Sequence, residues 1–164
     1  MKKSLYLFCV LAFIMSCQQT TEAPVTRSTT TTTESTTGYD AALAEACGAD
    51  EYGMRQYVMA FLKRGPNRDR DSLAAANLQR AHLDNIGKLA EAGKLSLAGP
   101  FLDDGELRGI YIFNVTTLEE AKALTETDPA IQAGSLVLEL HPWYGSAALM
   151  KVNELHIKVA KTPI

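Results

Sequence analysis

The chain has 164 residues, a formal net charge of -3 at neutral pH, and 21% charged against 46% hydrophobic residues. Charge this close to balance, with no basic stripe, excludes a nucleic-acid binder. Three dispersed histidines, with neither a His-x-x-x-His spacing nor a cysteine pair, give no metal site, and the absence of a phosphate loop or a Gly-x-Ser-x-Gly elbow leaves no cofactor to expect.

Met1-Lys2-Lys3 is a basic start, and Leu5 to Met15 is an apolar run too short to span a bilayer. That pairing reads as a signal peptide over residues 1–16. Ile14-Met15-Ser16-Cys17 has the form of a bacterial lipobox, so Cys17 is expected to carry lipid and become the new N-terminus. An ordinary secretory signal is the competing reading, but no small-x-small cleavage site follows closely. The expected partner is therefore a membrane, reached through lipid on Cys17, and the expected location is the bacterial cell envelope. Gln18 follows the cysteine where an acidic retention signal would stand, which favours the outer membrane.

Residues 17–38 contain the unbroken run Thr29 to Thr33 and almost nothing large enough to bury. Such a segment cannot offset its ordering entropy, so it reads as a disordered tether of about 25 Å. Cys47 is then the single cysteine left in the mature chain, too few for an internal disulfide.

The folded part should run from Tyr39 to Ile164 as one domain. Residues 39–53 supply a short helix, Tyr39 to Cys47, closed by Gly48, and a lead-in. Residues 54–145 carry the main pattern. Met54 to Lys63 is a strand with Tyr57, Met59 and Phe61 on one face and Val58, Ala60 and Leu62 on the other. A polar loop, Arg64 to Asp71, leads to a helix capped by Asp71 or Ser72. On that helix Leu78, His82, Ile86 and Leu89 share one face. The imidazole of His82 therefore points at the core or at a pocket beside it. Gly93-Lys94 turns the chain into a strand from Leu95 to Ala98, ending on Gly99-Pro100.

Asp103-Asp104-Gly105 turns into a third strand, Gly109 to Val115, with Tyr111, Phe113 and Val115 against Ile110, Ile112 and Asn114. Thr117 with Glu120 offers a capping box for a second helix. Pro129 to Ala133 is a short helical turn ending at Gly134. Ser135 to His141 is the fourth strand, closed by Pro142-Trp143-Tyr144-Gly145. Residues 146–164 form a C-terminal extension that fits a helix or a strand equally well.

Strand, helix, strand, strand, helix, strand is the ferredoxin-like βαββαβ order of the α+β class. Two helices cover one face of a four-stranded sheet, yet strands one and three are apolar on both. The surplus apolar groups, Tyr57, Met59, Phe61 and Tyr111, Phe113, Val115, call for a second cover. The same sheet of another copy supplies it, making a homodimer through the sheet face.

Arg80-x-His82-Leu83, then Gly93-Lys94-Leu95 with Ala98-Gly99-Pro100, then Asp128-Pro129 with Ala133-Gly134 together resemble the YciI-like (YCII-related) family over most of Met54 to Tyr144. The resemblance implies a dimeric α+β barrel of ferredoxin-like subunits. It also implies a catalytic dyad of a first-helix histidine and an aspartate before the last strand, here His82 and Asp128. A related dehydrochlorinase and the structurally similar muconolactone isomerases point to small cyclic substrates. The lipobox and the threonine tether depart from the usual free cytoplasmic form.

The residues themselves leave two readings open. His82 is either a satisfied core histidine or a general base whose tautomer a carboxylate fixes. Asp128 before Pro129 is an N-cap by position, and one carboxylate can serve both ends. Gly99 and Pro100 end a strand or wall a ligand pocket. Tyr144 is a candidate donor to a ligand, Trp143 a packing residue and Arg80 a surface or dimer contact. His141 is too isolated for a metal site, and His156 is given no role. An enzyme, whether lyase, isomerase or hydrolase, therefore competes with a non-catalytic module that binds a small ligand or dimerises.

Overall fold

The computed structural model describes residues 38–162. The expected signal peptide, Cys17 and nearly all of the tether lie outside the described residues.

The first helix, α1 (Ala41–Cys47), starts where the Asp40 carboxylate accepts the Leu43 amide and stops where Gly48 adopts φ 63°. Strand β1 (Met54–Arg64) leads to α2 (Ser72–Glu91), capped by Asp71 through the Ala74 amide. Strands β2 (Leu95–Pro100) and β3 (Leu107–Phe113) form a hairpin. Helices α3 (Leu118–Thr125) and α4 (Pro129–Gln132) precede β4 (Leu136–Ser146). A 3-10 turn, Ala147–Lys151, runs into α5 (Val152–Val159).

The strands make one antiparallel sheet in the order β2-β3-β1-β4, as a ferredoxin-like βαββαβ unit requires. The expected fold class is therefore the one observed. Val58, Ala60 and Leu62 of β1 join Leu95, Tyr111, Phe113, Val115 and Ala121 in the buried core, with Ile86 and Leu89 of α2 packed on it. Removing a side chain the size of Phe113 from water contributes about 2–3 kcal/mol.

The register corrects one expectation about the second apolar face. Ala60 stands opposite Tyr111 and Val58 opposite Phe113, so Tyr111, Phe113 and Val115 belong to the helix-covered side. Met59 faces Ile112 and Phe61 faces Ile110 on the other side, where Met59, Phe61 and Ile110 stay partly exposed. A pleat puts directly paired residues on one side, and pairing is not visible in one strand alone.

Three boundaries also differ. β3 begins at Leu107 because the turn before it is pinned from both sides, Asp104 pairing with Arg64 at 2.7 Å and with Arg108 at 3.0 Å. β4 continues through Pro142, which pairs with Val58. A proline is tolerated there because β4 is an outermost strand and has no neighbour to donate to on its far side. After Ser146 the helical alternative prevails, as the Asn153 amide donates to the Leu95 carbonyl at 2.7 Å and docks α5 beside β2. The capping box is half made. Thr117 accepts the Glu120 amide at 3.2 Å, while the Glu120 carboxylate goes to Lys94 at 2.9 Å.

Candidate active site

His82 lies halfway along α2 and is only 8% exposed. Asp128 ends the turn before α4 and is 2% exposed. The fold closes this sequence separation of 46 and brings Nδ1 of His82 to 2.8 Å from Oδ2 and 3.0 Å from Oδ1 of Asp128. The same carboxylate accepts the Ala130 amide at 2.9 Å through Oδ1. Asp128 thus caps α4 and holds the imidazole at once. A carboxylate on Nδ1 draws the proton to that nitrogen and leaves Nε2 with a lone pair.

Tyr111 completes the cluster. Its hydroxyl donates to Oδ2 of Asp128 at 3.2 Å and lies 3.5 Å from Nε2 of His82, with the two rings stacked at 6.3 Å. Burial, followed by the Asp128 charge, pushes the phenol well above its ordinary range, so it remains a neutral donor. One turn along α2 from His82, the Asn85 amide donates to Thr127 Oγ1 at 3.0 Å. That bond ties α2 to the residue beside Asp128 and fixes the distance across the pair. Tyr111 and Asn85 were not singled out in the sequence as site residues. The available signal was a polar group at an otherwise core position, since a buried tyrosine hydroxyl needs a partner.

A cavity of about 1060 Å³ adjoins the pair. Leu78, His82 and Ile86 present one wall from α2, Gly99 and Pro100 present the strand end, and Tyr111 lies on its floor strand. The structure therefore brings Gly99 and Pro100 to the cavity of His82. It does not bring Tyr144 there. β4 and β2 are at opposite ends of the sheet, and the Tyr144 hydroxyl donates to Asp50 beside a separate shallow pocket. His141 pairs with Glu139 at 2.9 Å on the side of the sheet away from the core, and Arg80 bonds Asp84 at 3.0 Å on the helix surface. His156, to which the sequence assigned no role, reaches the cavity from α5.

Among the described residues, no group of His, Cys, Asp and Glu is placed to hold a metal ion. No helix among them is long and apolar enough to cross a membrane.

The YCII-related domain profile matches residues 56–144, more than half of the chain, and the chain belongs to that family. Comparison with curated proteins gave no match. Among solved structures the chain is similar to 5-chloro-2-hydroxyhydroquinone dehydrochlorinase (TftG) from Burkholderia phenoliruptrix AC1100, in complex with 2,5-dihydroxybenzoquinone. The two share 19% identity and a TM-score of 0.40, over 52% of this chain and 92% of that chain.

Proposed function

We propose that this YCII-related protein is a small-molecule enzyme, a lyase, isomerase or hydrolase, in which His82 moves a proton through Nε2 while Asp128 holds Nδ1. The observation that carries the reading is the 2.8 Å contact of a buried aspartate with the far nitrogen of a histidine that lines a cavity. A general base must reach its substrate with one nitrogen and be oriented through the other. Tyr111 supports the pair by donating to the carboxylate, and its hydroxyl is close enough to Nε2 to follow a proton there.

The test is the tautomer of His82, read from long-range proton–nitrogen NMR, together with turnover of lyase, isomerase and hydrolase substrate panels by wild type and His82→Gln. The expected result is a proton on Nδ1, a bare Nε2, and turnover that disappears in the variant. A proton on Nε2, or equal turnover by His82→Gln, would sink the enzyme reading. The closed contacts around Asp128 favour the second reading, a non-catalytic ligand-binding or dimerisation module. In that case His82 would serve only to satisfy the carboxylate.

The setting of this activity is also a proposal. Lipid on Cys17 would anchor the protein in the cell envelope, with the threonine-rich segment as spacer. Cys17→Ala followed by cell fractionation should move the protein out of the membrane fraction; an unchanged fraction refutes the anchor. Assembly as a homodimer through the sheet face is supported by the partly exposed Met59, Phe61 and Ile110.

A further inference from the structure

We propose that the cavity beside His82 takes a ligand with an apolar body and one anionic group, the anion being held by Arg68 and Arg70. The inference rests on the reading of this cavity as a substrate site. Among the described residues that line it, the permanently charged ones are Arg68, Arg70 and Arg108, and none is an aspartate or glutamate. The chain as a whole has 19 acidic residues against 16 lysines and arginines, so this sign runs against its average.

The arginines differ in what they hold. Arg108 is matched by Asp104 at 3.0 Å. Arg68 instead donates to the Ser135 carbonyl at 3.2 Å, and Arg70 donates to the carbonyls of Ala133, at 2.8 Å, and Asn67. Neutral carbonyls set the position of these two guanidinium groups. Among the described residues neither has a carboxylate to balance its charge. Asp71, next in sequence to Arg70, is turned to the α2 cap. A guanidinium carries five N–H donors in a fork, so donors remain for a ligand.

The loop that carries them is fixed in place. The amides of Gly65 and Asn67 donate to the carbonyls of Ser135 and Gly134, both at 3.0 Å. The approach at Gly65 is so close that a Cβ there would stand 2.3 Å from the Gly134 carbonyl oxygen. A cation held by a rigid loop at the rim of an apolar cavity loses little entropy on binding an anion, and its field is focused by the low-dielectric wall. Leu78, Ile86 and Leu97 offer that wall. A carboxylate fits this arrangement, with the fork on its oxygens and its carbon skeleton along α2 toward His82.

The experiment is calorimetric titration of the full chain with 3-phenylpropionate, octanoate and the methyl ester of each. Wild type, Arg68→Gln, Arg70→Gln and His82→Gln are compared after their melting curves show that they are folded. Each acid is expected to bind at least about tenfold more tightly than its ester, the scale of one charge-assisted contact. Either arginine change should reduce that preference severalfold and leave ester binding unchanged, while His82→Gln keeps the preference. Equal binding of acid and ester, acid binding untouched by both arginine changes, or no binding of either acid overturns the proposal. Arg70 is partly buried, so if its variant fails to fold the exposed Arg68 decides. Binding needs no turnover, so an inactive protein that still prefers acids would defeat the enzyme reading alone.

Discussion

The hydroxyl of Tyr111 lies 3.5 Å from Nε2 of His82, the nitrogen that Asp128 does not hold. The phenol and the imidazole thus lean on one carboxylate from two elements, β3 and α2. Burial and the Asp128 charge keep the phenol above its ordinary value of 10.0, so the folded protein retains a proton that the unfolded chain releases. Its contribution to stability is intact below pH 10.0 and is lost as the pH rises beyond it. In an alkaline absorbance titration the Tyr111 phenol should ionise together with unfolding. Tyr111→Phe should remove that step and move the unfolding midpoint upward, while costing about 1 kcal/mol at neutral pH. A phenol that titrates freely in the folded protein contradicts this.

Asp128→Ala should destabilise the domain far beyond the loss of a helix cap. A cap alone is worth about 1 kcal/mol. Here His82, Tyr111 and the Ala130 amide would all be left facing a void, so a loss of about 3 kcal/mol is expected. Urea unfolding measures it, and a loss near 1 kcal/mol would mean that the carboxylate does no more than cap α4.

Much of this cluster was legible in the residues. Leu78, His82 and Ile86 placed the imidazole on an apolar helix face, and Asp128-Pro129 marked a cap. Their meeting across the fold came from the family pattern, because no spacing rule joins a helix to a turn 46 residues away. Tyr111 escaped notice because an aromatic at a core position reads as packing until its hydroxyl is seen to have a partner. The side of the sheet to which Tyr111 belongs was equally hidden, since both faces of β3 are apolar and pairing with β1 decides between them. Pro142 looked like a strand end because its tolerance depends on β4 being outermost, which is a property of the whole sheet. The residues after Ser146 were ambiguous for a related reason. Alternation and helical spacing were both present, and docking on β2 settled the matter.

Acid should loosen α5 before the rest. Lys158, then Lys151, hold the Glu154 carboxyl down at about 2. A depressed carboxylate stabilises the folded form above its ordinary value of 4.5, and that contribution is lost as the pH falls toward 2. Circular dichroism should show partial loss of helix across that window, reduced in Glu154→Gln. No difference between the two proteins would show that the ion pairs are not holding the helix.

A fragment beginning at Tyr39 should be dimeric at micromolar concentration in light scattering. Phe61→Glu puts a charge among Met59, Phe61 and Ile110 and should yield a folded monomer. A wild-type fragment that is monomeric and folded refutes assembly through this face.

The two outermost strands carry a further consequence. An unpaired ladder is a template onto which other chains can add, the first step toward fibrils. Pro142 withholds a backbone donor on β4, and on β2 the Asn153 amide already occupies the Leu95 carbonyl while α5 lies alongside. Both features work against polymerisation by strand addition at the ends of the sheet. Replacing Pro142 with Val and Asn153 with Ala together should leave the helix-covered core intact and make the fragment from Tyr39 seed thioflavin-positive aggregates, which the unsubstituted fragment should not.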